Sequence, residues 1–187
     1  MRKGGAEERP GDATMSDAPQ KGSGAGGREI PFRPANLRTL DTVRGDSLVA
    51  FCWSDVRPLV GTVAYLDWRL CGAVSHMVEG GDFLGKAGEV ALMPIRGRLG
   101  MRRLFVFGLG SVRRNDGASL RRICMQAQEV LEQAACERVT FLAPGSRHRH
   151  DLDEAFRKAL HSTLPEKKVG PVIDAILYEE TVAPAST

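Results

Sequence analysis

Arg103-Leu-Phe-Val-Phe-Gly-Leu-Gly110, followed by the segment from Gly117 to Ala135 and then by Arg138-Val-Thr-Phe-Leu-Ala143, decides the class of fold. The first run is apolar apart from its opening arginine and is closed by Gly108 and Gly110, the pattern of a strand covered on both faces. In the second, Leu120, Ile123, Ala127, Val130, Leu131 and Ala134 recur at helical spacing. Arg121, Arg122, Gln126, Glu129 and Gln133 fall on the opposite face of that helix. The third is again a short apolar run. A strand, an amphipathic helix and a strand in succession predict a crossover unit whose strands lie parallel in one sheet.

The same reading extends outward. Ser47 to Trp53 is a continuous apolar run and predicts another buried strand. Before it, Asn36 to Val43 alternates polar and apolar, with Leu37, Leu40 and Val43 marking an edge-like strand, and Arg44-Gly45-Asp46 is a turn signal. After it, Asp67 is placed to cap a helix carrying Trp68, Cys71, Val74, Met77 and Val78 inward, ended by Gly80-Gly81. Gly88 to Ile95 predicts a strand that stops at Pro94. Asp151 opens the last helix, with Glu154 at the capping-box position and Leu152, Ala155, Phe156, Ala159 and Leu160 inward. Pro171 to Tyr178 predicts the final strand. Such alternation defines an α/β chain folded as a three-layer sandwich around a mixed, mostly parallel sheet.

Composition narrows the class of function. The chain has 187 residues, 42% hydrophobic and 26% charged, with a formal net charge of +3, so one ordinary domain with a real core fits, and an acidic partner is permitted rather than demanded. Residues 1–29 are rich in Gly, Ala, Pro, Ser and charge and nearly free of aliphatics, which predicts a disordered tail; Met15 is an alternative start to Met1. The domain is expected over 30–180, with a short carboxy-terminal tail over 181–187. Cys52, Cys71, Cys124 and Cys136 lack any paired spacing and are expected to be small buried hydrophobes in a reducing compartment. No run suffices to span a membrane and the amino terminus has no apolar signal core, so the expected location is cytoplasmic, with no membrane partner.

Several segments resemble one family. Gly61-Thr-Val-Ala-Tyr-Leu-Asp-Trp-Arg-Leu-Cys-Gly-Ala-Val-Ser-His76 is similar to the first helical region of the amino-terminal domain of the leucyl (cytosol) aminopeptidases. Phe83-Leu-Gly-Lys-Ala-Gly-Glu-Val-Ala-Leu-Met-Pro94 fits that family's F-x-G-K-x-G-E loop and its strand. Arg103 to Gly110 fits its R-hydrophobic-G-L-G strand, and the helix and strand from Gly117 to Pro144 fit the next pair. The likeness runs from about Leu37 to Tyr178 and implies a macro-like α/β/α fold. It also implies that the family's chemistry, two divalent metals held by a Lys, several Asp and a Glu, belongs to a separate carboxy-terminal domain. Signatures of the N-T-D-A-E-G-R and D-S-G-G type are absent from these residues, and Thr187 falls where that domain is expected to begin. The resemblance therefore implies a binding or assembly domain rather than an enzyme, with no catalytic residue, no metal ligand and no cofactor, and with a protein partner or self-association.

Two rival binding chemistries remain open in the residues. Gly108-Leu-Gly110 lies between a strand and a helix, where amides and the helix dipole can hold a phosphate, with Arg113 and Arg114 close by. That pattern lacks its third glycine, since Arg113 occupies the position, and a plain tight turn is the favoured alternative. The macro-like fold adds ADP-ribose or a related nucleotide as a candidate ligand, by analogy of fold. Arginines at 96, 98, 102, 103, 113, 114, 121 and 122, with a second cluster at Arg147, His148, Arg149 and His150, make DNA a candidate partner if both clusters share a face. A solvated, ion-paired rim is the alternative. His148 and His150 lack a third metal ligand at motif spacing.

Overall fold

The computed structural model describes residues 30–95, 97–145, 150–163 and 170–179, and of His150 the backbone only. The predicted tails over 1–29 and 181–187 lie outside the described residues. Six strands form one sheet in the order β1-β6-β5-β2-β4-β3. The strands are β1 (Phe32–Pro34), β2 (Ser47–Trp53), β3 (Val90–Pro94), β4 (Arg103–Gly110), β5 (Arg138–Leu142) and β6 (Val172–Tyr178). Every pairing is parallel except β3 with β4. The helices are α1 (Leu37–Thr42), α2 (Thr62–Arg69), α3 (Ala73–Glu79), α4 (Gly117–Gln133) and α5 (His150–Thr163), with a 3-10 turn at Val112–Arg114. The expected mixed, mostly parallel sheet in a three-layer sandwich is therefore present.

Strand β2 is central, and all its residues are buried. Its side chains alternate between the two cores. Val49, Phe51 and Trp53 face α4 and α5, while Leu48, Ala50 and Cys52 face α1, α2 and α3. The ring of Phe51 meets those of Phe107, Phe141 and Phe156, the last edge-on at 4.6 Å between centroids. Burying each such ring contributes about 2–3 kcal/mol. Helix α4 turns Leu120, Ile123, Cys124, Ala127 and Leu131 onto this core, and Asp116 caps it by accepting from the Ser119 amide at 2.8 Å. Its far end closes as a Schellman turn: the Cys136 amide donates to Leu131 and the Ala135 amide to Glu132, both at 3.0 Å, with Ala135 at φ 48°.

The amino-terminal ends of three adjacent strands meet at Asp46. Its carboxylate accepts from Arg103 Nη2 at 2.8 Å, the Ser47 hydroxyl at 3.2 Å, and the Arg138 and Glu137 amides at 2.9 and 3.3 Å. Arg103 also donates to Ser47 Oγ and to the Ala134 carbonyl, both at 3.1 Å. One buried carboxylate thus ties β2, β4 and β5 together.

Four details correct the sequence reading. Residues 36–43 form a helix, not a strand: Leu37, Leu40 and Val43 are three apart, and Asn36 caps α1 by accepting from the Thr39 amide at 2.9 Å. The first strand is instead Phe32–Pro34, an exposed edge where a proline is tolerated. The single helix expected after Asp67 is two, broken by Cys71 at φ 56° and Gly72 at φ 78°. Asp67 sits inside α2, and its carboxylate caps α3 from the side, accepting from the Val74 and Ser75 amides at 2.8 and 3.1 Å. Helix α5 is described from His150, with Asp151 in its first turn, and Glu154 pairs with Lys158 at 2.7 Å.

Candidate ligand cleft and interaction surface

Ligands of open α/β sheets gather beyond the carboxyl ends of the strands, where neighbouring connections leave in opposite directions. Here β2, whose chain leaves toward α2, has such a place on each side, because the chains of β5 and β4 leave toward α5 and α4 on the opposite face. The first lies between β2 and β5. The two loops are joined across it. Gly61 forms an antiparallel bridge to Pro144, the Thr62 hydroxyl donates to the Ala143 carbonyl at 2.6 Å, and Trp53 Nε1 donates to the Gly145 carbonyl at 3.3 Å. A Cβ on Gly61 would lie 2.6 Å from the Gly145 Cα, so the glycines permit backbone-to-backbone contact. Among the described residues the crevice at this point is bridged by the protein itself.

A cleft opens one strand further over, beyond the ends of β2 and β4. Its volume is about 520 Å³, and its lining includes Ser54, Lys86, Ser111, Arg114, Asn115 and Arg122 over a floor of Leu109 and Ile123. The wall is the loop of residues 83–89, the F-x-G-K-x-G-E segment. Phe83 is fully buried, and the Glu89 carboxylate accepts from the Leu84 and Lys86 amides at 2.9 and 3.0 Å. This loop lies directly on the end of β4: the Gly108 amide donates to Glu89 O and the Gly110 amide to Gly85 O, both at 2.8 Å. Gly108 has no room for a side chain, since a Cβ would lie 2.0 Å from Lys86 O.

Gly108 and Gly110 thus serve loop packing, and their amides already have protein acceptors. Nearby anion positions hold the chain's own carboxylates. Asp55 accepts from the Ser111 hydroxyl and, at 2.9 Å, the Val112 amide, and Asp116 occupies the amino end of α4. Burial works to raise the Asp55 carboxyl, but the Ser111 and Val112 hydrogen bonds outweigh it and hold it below the usual range.

The arginines separate. Arg98, Arg102 and Arg103 lie at the amino end of β4, and Arg113, Arg114, Arg121 and Arg122 lie past its carboxyl end, roughly 23 Å away along the strand. Arg103 is held by Asp46, and Arg98 donates to Leu70 O. Arg114 lines the cleft whereas Arg113 does not; both are exposed. Arg96, Arg147, His148, Arg149 and the side chain of His150 lie outside the described residues. The sequence reading did not single out Ser54, Asn115, Ser119 or Gln126 as parts of a site. Ser119, Arg122, Ile123 and Gln126 share one stripe of α4, and that i, i+3, i+4, i+7 spacing was the available signal.

A second depression, about 620 Å³, lies on α2 and is lined by Pro58, Leu59, Asp67, Trp68, Cys71 and Ser75 among others. Trp68, expected inward, is 66% exposed, and Tyr65 one turn earlier is exposed as well. Cys71 is also exposed, contrary to expectation, because the break after α2 turns it outward; Cys52, Cys124 and Cys136 are buried. Among the described residues no helix is long and apolar enough to cross a membrane.

A macro-like α/β/α domain is thus the class that this strand order and layering define. The amino-terminal domain of the cytosol aminopeptidase family matches residues 50–165, and the chain belongs to that family through this domain. A probable cytosol aminopeptidase of Syntrophotalea carbinolica is 31% identical over 97 residues, 52% of this chain and 19% of its own length. One from a Cyanothece strain is 32% identical over 91 residues, 46% of this chain and 18% of its own. The aligned part of the chain thus spans about a fifth of the length of these curated relatives. Among solved structures, a tomato leucine aminopeptidase variant aligns with TM-score 0.52 at 14% identity, over 82% of this chain and 33% of that one. The macrodomain of Mycobacterium tuberculosis DarG aligns with TM-score 0.55 at 14% identity, over 83% and 100%. These two likenesses establish the fold.

Proposed function

We propose that this domain works by binding, as an assembly or regulatory module whose partner is a second copy of the same domain, either free or within a full aminopeptidase chain. The observation that carries the reading is on α2, where Trp68 stands 66% exposed at a depression lined also by Pro58, Leu59, Asp67 and Arg69, with Tyr65 exposed one turn earlier. A large aromatic left in water is costly, and aromatics of this kind supply much of the energy of protein interfaces. The family relationship supports the choice of partner, because the relatives carry a domain of this type within a longer aminopeptidase chain. The alternative of ADP-ribose at Gly108, Gly110, Arg113 and Arg114 has less support, since both glycine amides already have acceptors and the neighbouring crevice is bridged.

Sedimentation velocity across micromolar concentrations tests the proposal. Concentration-dependent association that Trp68→Ala weakens is the expected result. A chain that stays monomeric alone and when mixed with a full-length aminopeptidase of the same organism overturns it.

A further inference from the structure

Strand β3 lies at one edge of the sheet, and its free side carries a pattern of its own. In an antiparallel pair, alternate residues turn both backbone groups toward the partner strand, and the residues between them turn both away. Bonds at the two ends of β3 fix which are which. The Gly108 amide donates to Glu89 O at 2.8 Å, and the Ile95 amide donates to Arg102 O at 3.0 Å. The pairing runs without a shift from Val90 opposite Phe107 to Pro94 opposite Arg103. Ala91 and Met93 therefore bond to β4, whereas Val90, Leu92 and Pro94 present their backbone groups outward. Pro94, which has no N–H, falls where β4 needs none.

Among Val90–Pro94 there is neither a bulge nor a charged side chain, the devices that commonly protect an edge. The adjoining carboxylate, Glu89, is turned back onto the Leu84 and Lys86 amides. Leu92, the middle residue of the strand, is 58% exposed, second only to Trp68 among the large apolar side chains described.

We propose that β3 pairs with β3 of a second copy of this chain, antiparallel about a two-fold axis through Leu92, so that two sheets join edge to edge. The outward groups select that occupant. With Leu92 opposite Leu92, each Leu92 amide donates to the other Leu92 carbonyl, and each Val90 amide donates to the Pro94 carbonyl across the seam. No outward N–H of β3 is left without an acceptor, and the donors that proline lacks fall at the two ends of the ladder. The two Leu92 side chains meet on the face that carries α4, because Val90, two residues away, packs on that side. A two-fold contact of this kind closes on itself and needs no third molecule. It does not involve α2, so it stands or fails apart from the Trp68 surface.

Sedimentation velocity of the full chain carrying Trp68→Ala, from micromolar to submillimolar concentrations, tests the pairing together with residue-resolved amide exchange. That substitution removes the α2 contact, so the remaining self-association is read alone. The expected result is a dimer whose Val90 and Leu92 amides exchange more slowly as concentration rises. Adding Leu92→Lys sets like charges on the axis and weakens the dimer by about tenfold or more. Leu92 is exposed, and an unchanged melting temperature shows that this variant folds. A chain that stays monomeric across the range overturns the inference. So does a dimer whose Leu92 amide keeps the monomer's exchange rate, and so does one that Leu92→Lys leaves intact.

Discussion

Arg103 Nη2 and Asp46 Oδ2 lie 2.8 Å apart at the amino-terminal edge of the sheet, with the carboxylate buried and the guanidinium partly so. Burial works to raise the Asp46 carboxyl, but Arg103, the Arg138 and Glu137 amides and Ser47 outweigh it and hold it below the usual carboxylate range. A carboxyl whose folded value is depressed stabilises the fold fully above its unfolded value. That contribution is lost as pH falls from there through the lower folded value. Asp46→Ala is expected to cost about 3 kcal/mol near neutral pH, because it strands Arg103 and two amides. Urea titrations at about pH 7 and pH 3 check both points: the gap between wild type and variant narrows in acid.

Gly108 and Gly110 separate two kinds of glycine requirement. Gly108→Ala drives a methyl into backbone, with Lys86 O only 2.0 Å away, so the loop of residues 83–89 must move. Gly110→Ala meets its nearest neighbour at 3.2 Å and mainly suffers from φ 76°. The expected costs are about 3 kcal/mol or more for the first and about 1–2 kcal/mol for the second. Thermal melts of the two variants give the order.

Ala135 occupies the left-handed position of the Schellman turn that ends α4, at φ 48°. Glycine adopts that conformation without the Cβ penalty. Ala135→Gly is therefore expected to stabilise the domain by about 1 kcal/mol, read as a raised urea midpoint. An unchanged or lowered midpoint would show that the alanine methyl has a packing role.

The four thiols differ in reach. Cys71 is exposed, while burial pushes the Cys124 thiol up to about 12. A disulfide reagent at mildly alkaline pH is expected to modify Cys71 quickly and the other three only on unfolding. Cys71→Ser removes the fast phase. A fast phase that survives this change would place a second thiol at the surface.

Much of the sandwich was legible because strand and helix periods differ so strongly. The run Arg103 to Gly110 and the stripe through Leu120, Ile123, Ala127 and Leu131 each admit one regular structure with a consistent buried face. The failures were local. Leu37, Leu40 and Val43 are few enough to suit two periods, and only the Asn36 cap decides between them. Trp68 and Cys71 fit a helical stripe that Gly72 interrupts, and Asp67 caps a helix it does not begin, a relationship made through space rather than along the chain.

The candidate site was less legible for a geometric reason. Arg102 and Arg113 look close in sequence, yet a full strand separates them, so a count of arginines could not show which end of the sheet is cationic. Gly108 and Gly110 marked the right end of β4 and suggested exposed amides. The loop that covers those amides comes from residues 83–89, and its placement follows from tertiary packing alone.

Among the described residues the antiparallel edge strand β3 has a neighbour on one side only, and the loop that walls the cleft runs straight into it. Edge strands open at lower free energy than central ones, so amide exchange at Ala91 and Met93 is expected to proceed through excursions that leave β2 intact. Because Glu89 and Gly88 are bonded to Gly108, each excursion also loosens the wall. The shape of the cleft is thereby linked to the lifetime of a strand that does not line it, and any contact that fixes the wall is expected to slow exchange along β3.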